Sequence, residues 1–258
     1  MITLLGTGHV FKIAEPVSFI IKNIWPDAVL VELDEKRYNA LTSPPGGAGE
    51  NNNSWTYRNM AEYQKSVAEE NESIVGAELL AAAETGKMIG AAVEFIDKDA
   101  AETMNEAFKE MSFREKTRFF FSMIGDKFRS KKKAQTAVEE FAEKEEEYFE
   151  DLRKKYPTLV RKLIDERNEH MAGKINEASE KYENIVVVIG DGHVEGIAKL
   201  LSTANIRKIR LKTLMDKELM DTLRAELWSG KEEADGEAQE KKEQTEYAKE
   251  ESEGGKEE

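Results

Sequence analysis

Four short apolar runs interrupt an otherwise highly charged chain: Met1-Ile2-Thr3-Leu4-Leu5, Ala28-Val29-Leu30-Val31-Glu32-Leu33-Asp34, Ala91-Ala92-Val93-Glu94-Phe95-Ile96-Asp97 and Ile185-Val186-Val187-Val188-Ile189. Continuous apolar character, rather than alternation, is what a strand covered on both faces requires. Between the runs, Pro16 to Ile24 predicts a helix with proline in its first turn, and residues 55–90 predict further helix, including Gly76 to Met88. Residues 99–182 show no strand pattern and predict several long helices, broken near Gly125 to Lys133 and at Pro157. Strands alternating with helices predict an α/β fold with a central, mainly parallel sheet and a large helical insertion.

Thr42 to Asn53, rich in proline, glycine and asparagine, predicts a long loop. Its place after the second strand suits a lid over a site, or plain surface disorder. Within the insertion, Phe119-Phe120-Phe121 with Met123 and Ile124 is more apolar than one helix face needs. Core is the first reading, with a substrate channel or subunit interface as the alternatives. Glu139 to Lys155 is charged except for a stripe of Phe141, Tyr148, Phe149 and Leu152, which suits packing against a second subunit, so a homodimer is expected.

The 258 residues suffice for one sizeable core, read as a domain over residues 1–228 with its insertion at about 99–182. Residues 229–258 carry 12 acidic and 5 basic side chains, half of the net charge of −14, and read as an acidic disordered tail. Lys131-Lys132-Lys133 is the one compact basic run and reads as a solvated loop, so nucleic acid is not expected as a partner. No apolar run reaches the roughly 18 residues of a membrane helix, there is no signal-peptide pattern, and there is no cysteine. A cytoplasmic location is the expectation.

Only three histidines occur, and two share one setting. Gly6-Thr7-Gly8-His9 follows the first strand, Gly190-Asp191-Gly192-His193 follows the last, and a valine comes next in both. Glycine at a strand end allows a tight turn or a close approach, and ligands of open parallel sheets bind at the carboxyl edge. Parallel neighbours would bring His9, Glu32, Asp97 and His193 to that edge, a set able to hold Zn, Mn, Fe or Co with a position left for water. Glu32, inside an apolar run, needs a partner in any case. Competing readings are a phosphate cradle, since Gly190-x-Gly192-x-x-x-Gly196 is one residue from the dinucleotide fingerprint, and purely structural histidines. Asp97 also reads as a cap on the following helix, and Glu78 as a carboxylate favoured by its helix N-terminus.

The two Gly-x-Gly-His-Val motifs are similar to those of the TraB family, in the grouping that includes the Tiki proteins, and suggest an archaeal or bacterial member. Val31-Glu32-Leu33-Asp34, Gly76-Ala77-Glu78-Leu79-Leu80-Ala81-Ala82, Phe113-Arg114-Glu115-Lys116 and Asp165-Glu166-Arg167-Asn168-Glu169-His170-Met171-Ala172 agree. The resemblance implies a fold shared with erythromycin-esterase-like and ChaN-like proteins and, for the Tiki branch, metal-dependent peptidase activity. It assigns His9 and His193 to the active centre, Glu32 and Glu78 to its acidic positions and Arg167 to its basic one. Asp97-Lys98-Asp99 stands where many relatives read Asp-Arg. Many relatives also carry membrane spans after this domain, so membrane attachment would need a segment this chain lacks.

The resulting expectation is metal-assisted hydrolysis of a peptide. His9, His193 and Glu32 bind a divalent ion, Glu78 transfers protons, and Arg167 holds a carboxylate of the site or a substrate oxygen. Gly6, Gly8, Gly190, Gly192, Asp97, Arg114 and His170 support the site; His170, one turn from Arg167, is a candidate third ligand or a surface histidine. Arg167 also reads as a member of an ion pair with Glu166 or Glu169 in its own helix. The alternative function is non-catalytic capture of a peptide or haem-like ligand in the same crevice.

Overall fold

The computed structural model describes residues 1–8, 11–42, 75–126 and 134–229. The four apolar runs form strands β1 (Ile2–Thr7), β2 (Ala28–Val31), β3 (Ala92–Phe95) and β4 (Ile185–Gly190), and a fifth, β5 (Ile206–Ile209), joins them. All pair in parallel, in the order β3-β2-β4-β1-β5. The fifth strand escapes the apolar criterion because Ile-Arg-Lys-Ile lies at an edge, where charge is tolerated and discourages pairing with another chain.

Two layers of helix cover the sheet. Helices α1 (Ala14–Ile24), α2 (Glu35–Thr42) and α3 (Ala77–Met88) follow the first two strands. Val17, Ile20 and Ile21 of α1 and Leu79, Ala82 and Ala83 of α3 pack on Leu5, Val29, Val31, Val186 and Val188. The crossover from β3 to β4 contains α4 (Ala100–Glu110), α5 (Phe113–Asp126), α6 (Ala134–Lys155), α7 (Pro157–Val160), a π-turn (Arg161–Asp165) and α8 (Glu166–Ser179). Met171, Ala172, Ile175 and Ala178 of α8 bury the opposite face, against Leu4, Leu30, Ile185, Val187 and Ile189. Period-two alternation of the strand side chains between these two cores explains why the central strands β2 and β4 are apolar at successive positions.

The insertion is pinned by buried polar groups. Ser112 and Glu115 form a capping box at the start of α5, and Glu115 also accepts from Thr158 N–H at 2.8 Å and Thr158 Oγ1 at 3.0 Å. Lys162, in the π-turn, lies within 3.4 Å of Glu106, Glu110 and Glu166. Three carboxylates raise its pKa despite burial, Glu110 contributing most. After β4, a single 3-10 turn (Asp191–His193) leads into α9 (Val194–Ala198). The chain continues through β5 and α10 (Leu211–Met215) to helical residues 217–229.

Among the described residues, no helix is long and apolar enough to cross a membrane. The loop read from Thr42 to Asn53 (beyond Thr42 itself), the lysine run at 131–133 and the tail after Ser229 lie outside the described residues.

Candidate active site

The register sets the site. Thr7 of β1 lies opposite Gly190 of β4, and Val31 of β2 opposite Val188, so three strands end side by side. Glu32 follows β2 at once: its N–H donates to Val188 O at 2.9 Å, and its buried side chain accepts from the N–H of Gly190. Asp97 follows β3 and donates its N–H to Leu33 O at 3.2 Å. His193 closes the turn after β4 and is 5% exposed.

Gly6 is required here for close approach. It has no positive φ, but a Cβ on it would stand 2.1 Å from Asp191 Oδ1. That oxygen cannot swing away, because it accepts from Leu211 N–H at 2.8 Å and Arg210 Nε at 2.9 Å. Arg210 Nη2 also bonds Glu145 Oε2 at 2.6 Å, tying the His193 turn to α6 beside its kink at Lys144.

Arg167 is the hub. Its Nε and Nη2 grip both oxygens of Asp97, at 2.9 and 2.8 Å, and Nη2 also donates to Glu32 Oε1. Its Nη1 donates to Leu163 O in the π-turn at 3.2 Å and to His193 Nε2 at 3.2 Å. All five guanidinium N–H groups therefore have acceptors. Burial alone would lower the pKa of Arg167, but Glu32 and Asp97 outweigh it and raise that value. Arg37 adds a second cation 3.6 Å from Asp97.

His193 meets the cluster with Nε2, which is 3.7 Å from Glu32 Oε1. Its Nδ1 lies 2.7 Å from Asn168 Oδ1.

The structure thus gathers Glu32, Asp97, Arg167 and His193, while His9 lies outside the described residues. Gly8 and Gly192 lie in the turns that follow β1 and β4. Glu78 is wholly buried in the first turn of α3, in the layer on the other face of the sheet. Since α3 ends where β3 begins, its first turn lies near the carboxyl edge. His170 is half-buried one turn beyond Arg167; burial and then the Lys98 cation lower its pKa.

Two readings of the sequence are corrected. Asp97 does not cap the next helix; Asp99 does, accepting from Glu102 N–H at 2.9 Å. Arg167 makes no pair in its own helix, where Glu166 is engaged by Arg161 and Lys162. Without substrate, every N–H of Arg167 is committed and it grips two carboxylates of the site. Arg114 is exposed on α5, and the buried member of its segment is Glu115. Asn168, Arg37 and the Asp191–Arg210 pair escape the sequence reading. Asn168 stood in the family-like segment beside Arg167; nothing local marks Arg210.

The donors can be tested against a divalent ion. Glu32 Oε1 and His193 Nε2 converge as two ligands would, but the Arg167 guanidinium sits on both. Among the described residues, no group of three or more His, Asp or Glu side chains is arranged to hold a metal. The described donors do not fit a metal, since the cation they surround is Arg167.

The sequence profile of the TraB/PrgY/gumN family matches residues 1–213. An uncharacterized protein of Methanocaldococcus jannaschii is 29% identical over 210 residues, covering 78% of this chain and 53% of the relative. The chain therefore spans about half the length of the curated relative it matches.

Proposed function

The chain belongs to the TraB/PrgY/gumN family, and from that premise we propose that the Glu32–Asp97–Arg167–His193 cluster is the active centre of a hydrolase acting on a peptide. One observation carries the reading: two carboxylates, a guanidinium and an imidazole, all withdrawn from water, converge where open parallel sheets bind ligands. Burying an ion cluster is a poor way to gain stability compared with an apolar core, and such clusters concentrate at functional sites.

In this reading His193 Nε2 accepts a proton from the attacking water. Substrate binding displaces the 3.2 Å Arg167 Nη1 contact, which otherwise occupies that lone pair. Glu32, 3.7 Å away, then stabilises the imidazolium, and Arg167 keeps both carboxylates in place. Glu78 is assigned the second transfer, taking that proton from the imidazolium and passing it to the leaving amine, so that both side chains return to their starting states. The peptide as substrate class rests on the resemblance of the two histidine motifs to the Tiki branch.

The test is a peptide-hydrolysis screen combined with elemental analysis of protein purified without a metal column. Cleavage abolished in His193→Ala, by protein without stoichiometric metal, is the expected result. Near-stoichiometric metal lost in both His193→Ala and Glu32→Gln would overturn the assignment of the cation to Arg167. Absence of hydrolysis across the screen, with tight peptide binding, would move the site to ligand capture.

A further inference from the structure

Arginine carries no hydrogen-bond acceptor. The 3.2 Å contact between Arg167 Nη1 and His193 Nε2 is therefore a donation from Arg167, and it makes Nε2 the lone-pair nitrogen. The ring proton must then reside on Nδ1, so the Asn168 atom 2.7 Å from Nδ1 must be an acceptor, Oδ1. That places the amide nitrogen of Asn168 over Gly196, where a Cβ would stand only 2.2 Å from it. Asn168 is 6% exposed, so a methyl group at Gly196 would force the amide out of this place rather than simply lie beside it. Adjacent residues of α8 thus determine the ring between them, Arg167 setting where the lone pair is and Asn168 where the proton is.

We propose that Asn168 is the positioning residue of this centre: braced by Gly196, it holds His193 as the neutral Nδ1–H tautomer, with the Nε2 lone pair directed at the Glu32–Arg167 pair. An amide serves this purpose differently from a carboxylate. It accepts the Nδ1 proton without adding the negative charge that would favour the imidazolium, so the resting ring stays neutral and able to accept a proton. The catalytic consequence rests on the hydrolase reading, but the tautomer does not.

The experiment is a long-range 1H–15N correlation spectrum of histidine-labelled protein at about pH 8, where an ordinary imidazole is neutral. Only three histidines contribute, and His193→Gln assigns the signals. Wild type is expected to show His193 with a protonated Nδ1 and a lone-pair Nε2. Asn168→Leu is expected to mix the tautomers, Asn168→Asp to keep Nδ1 protonated, and Gly196→Ala to behave like Asn168→Leu, because its Cβ displaces the amide without deleting the acceptor. A proton on Nε2 in wild type would overturn the proposal, and so would a pure Nδ1–H spectrum in Asn168→Leu. The wild-type spectrum decides even where a variant fails to fold. Where hydrolysis is measurable, kcat should fall with KM little changed, up to the roughly 10⁴-fold that a wrongly held tautomer costs in a catalytic triad. Absence of hydrolysis with the expected spectra would sink the hydrolase reading and leave this one standing.

Discussion

Arg167 shows how one residue can carry a site whose other members are distant in sequence. Its acceptors on Glu32 and Asp97 are 135 and 70 positions away, and deleting its charge would leave two carboxylates without it in a buried place. Arg167→Met should therefore lose about 3–5 kcal/mol of unfolding stability, the scale for breaking a buried ion pair, measured from urea transitions. Arg167→Lys should recover only part, because an ammonium has three N–H groups and no planar fork for Asp97. A wild-type transition in Arg167→Met would show that the cluster is wetter than described. Gly6 makes a steric prediction. A methyl group 2.1 Å from Asp191 Oδ1 should lower stability in Gly6→Ala by about 1–3 kcal/mol, as overpacking does, and calorimetry reads it directly. Glu32 was legible in the sequence as a carboxylate needing a partner, because an apolar run makes it anomalous. Arg167 lay in a polar helix, where an arginine is ordinary, and only the family resemblance marked it.

At the scale of elements, the insertion is joined by carboxylates that were unremarkable in a glutamate-rich sequence. Glu115 locks α5 to α7. Burial pushes its pKa up, but the hydrogen bonds from Thr158 and Ser112 prevail and hold it below the ordinary 4.5. A carboxylate with a depressed folded value contributes stability that is present above the unfolded value and lost as pH falls through the folded one. Glu115→Ala should thus be less stable than wild type near neutrality, and the gap should narrow as pH drops below the ordinary glutamate range; pH-dependent urea unfolding measures it. A gap independent of pH would assign Glu115 a packing role alone. The helical character of residues 99–182 and the break at Pro157 were legible from the pattern. The break at Met111 and Ser112 was not, because the capping box Ser112-x-x-Glu115 sits inside a stretch that is helical on both sides.

At the scale of the whole molecule, the helices meet the sheet in two ways. Helices α1, α3 and α8 attach through apolar contacts, whereas α6 reaches the carboxyl edge through the Glu145–Arg210–Asp191 chain. Glu145→Ala should raise amide hydrogen exchange in residues 145–155 while leaving β1 and β4 protected; unchanged exchange in that segment would show that packing alone holds the helix. The sequence by itself determined four of the strands, their parallel arrangement through helical crossovers and the edge at which chemistry gathers, because continuous apolar runs and glycine turns are local signals with one economical solution. Only the tertiary structure decided what the edge contains. Which cation Glu32 meets, which side of the His193 ring carries its proton and which aspartate caps α4 depend on strand register and on which face of the sheet a helix covers. Those are set by packing among distant segments, and no local pattern encodes them.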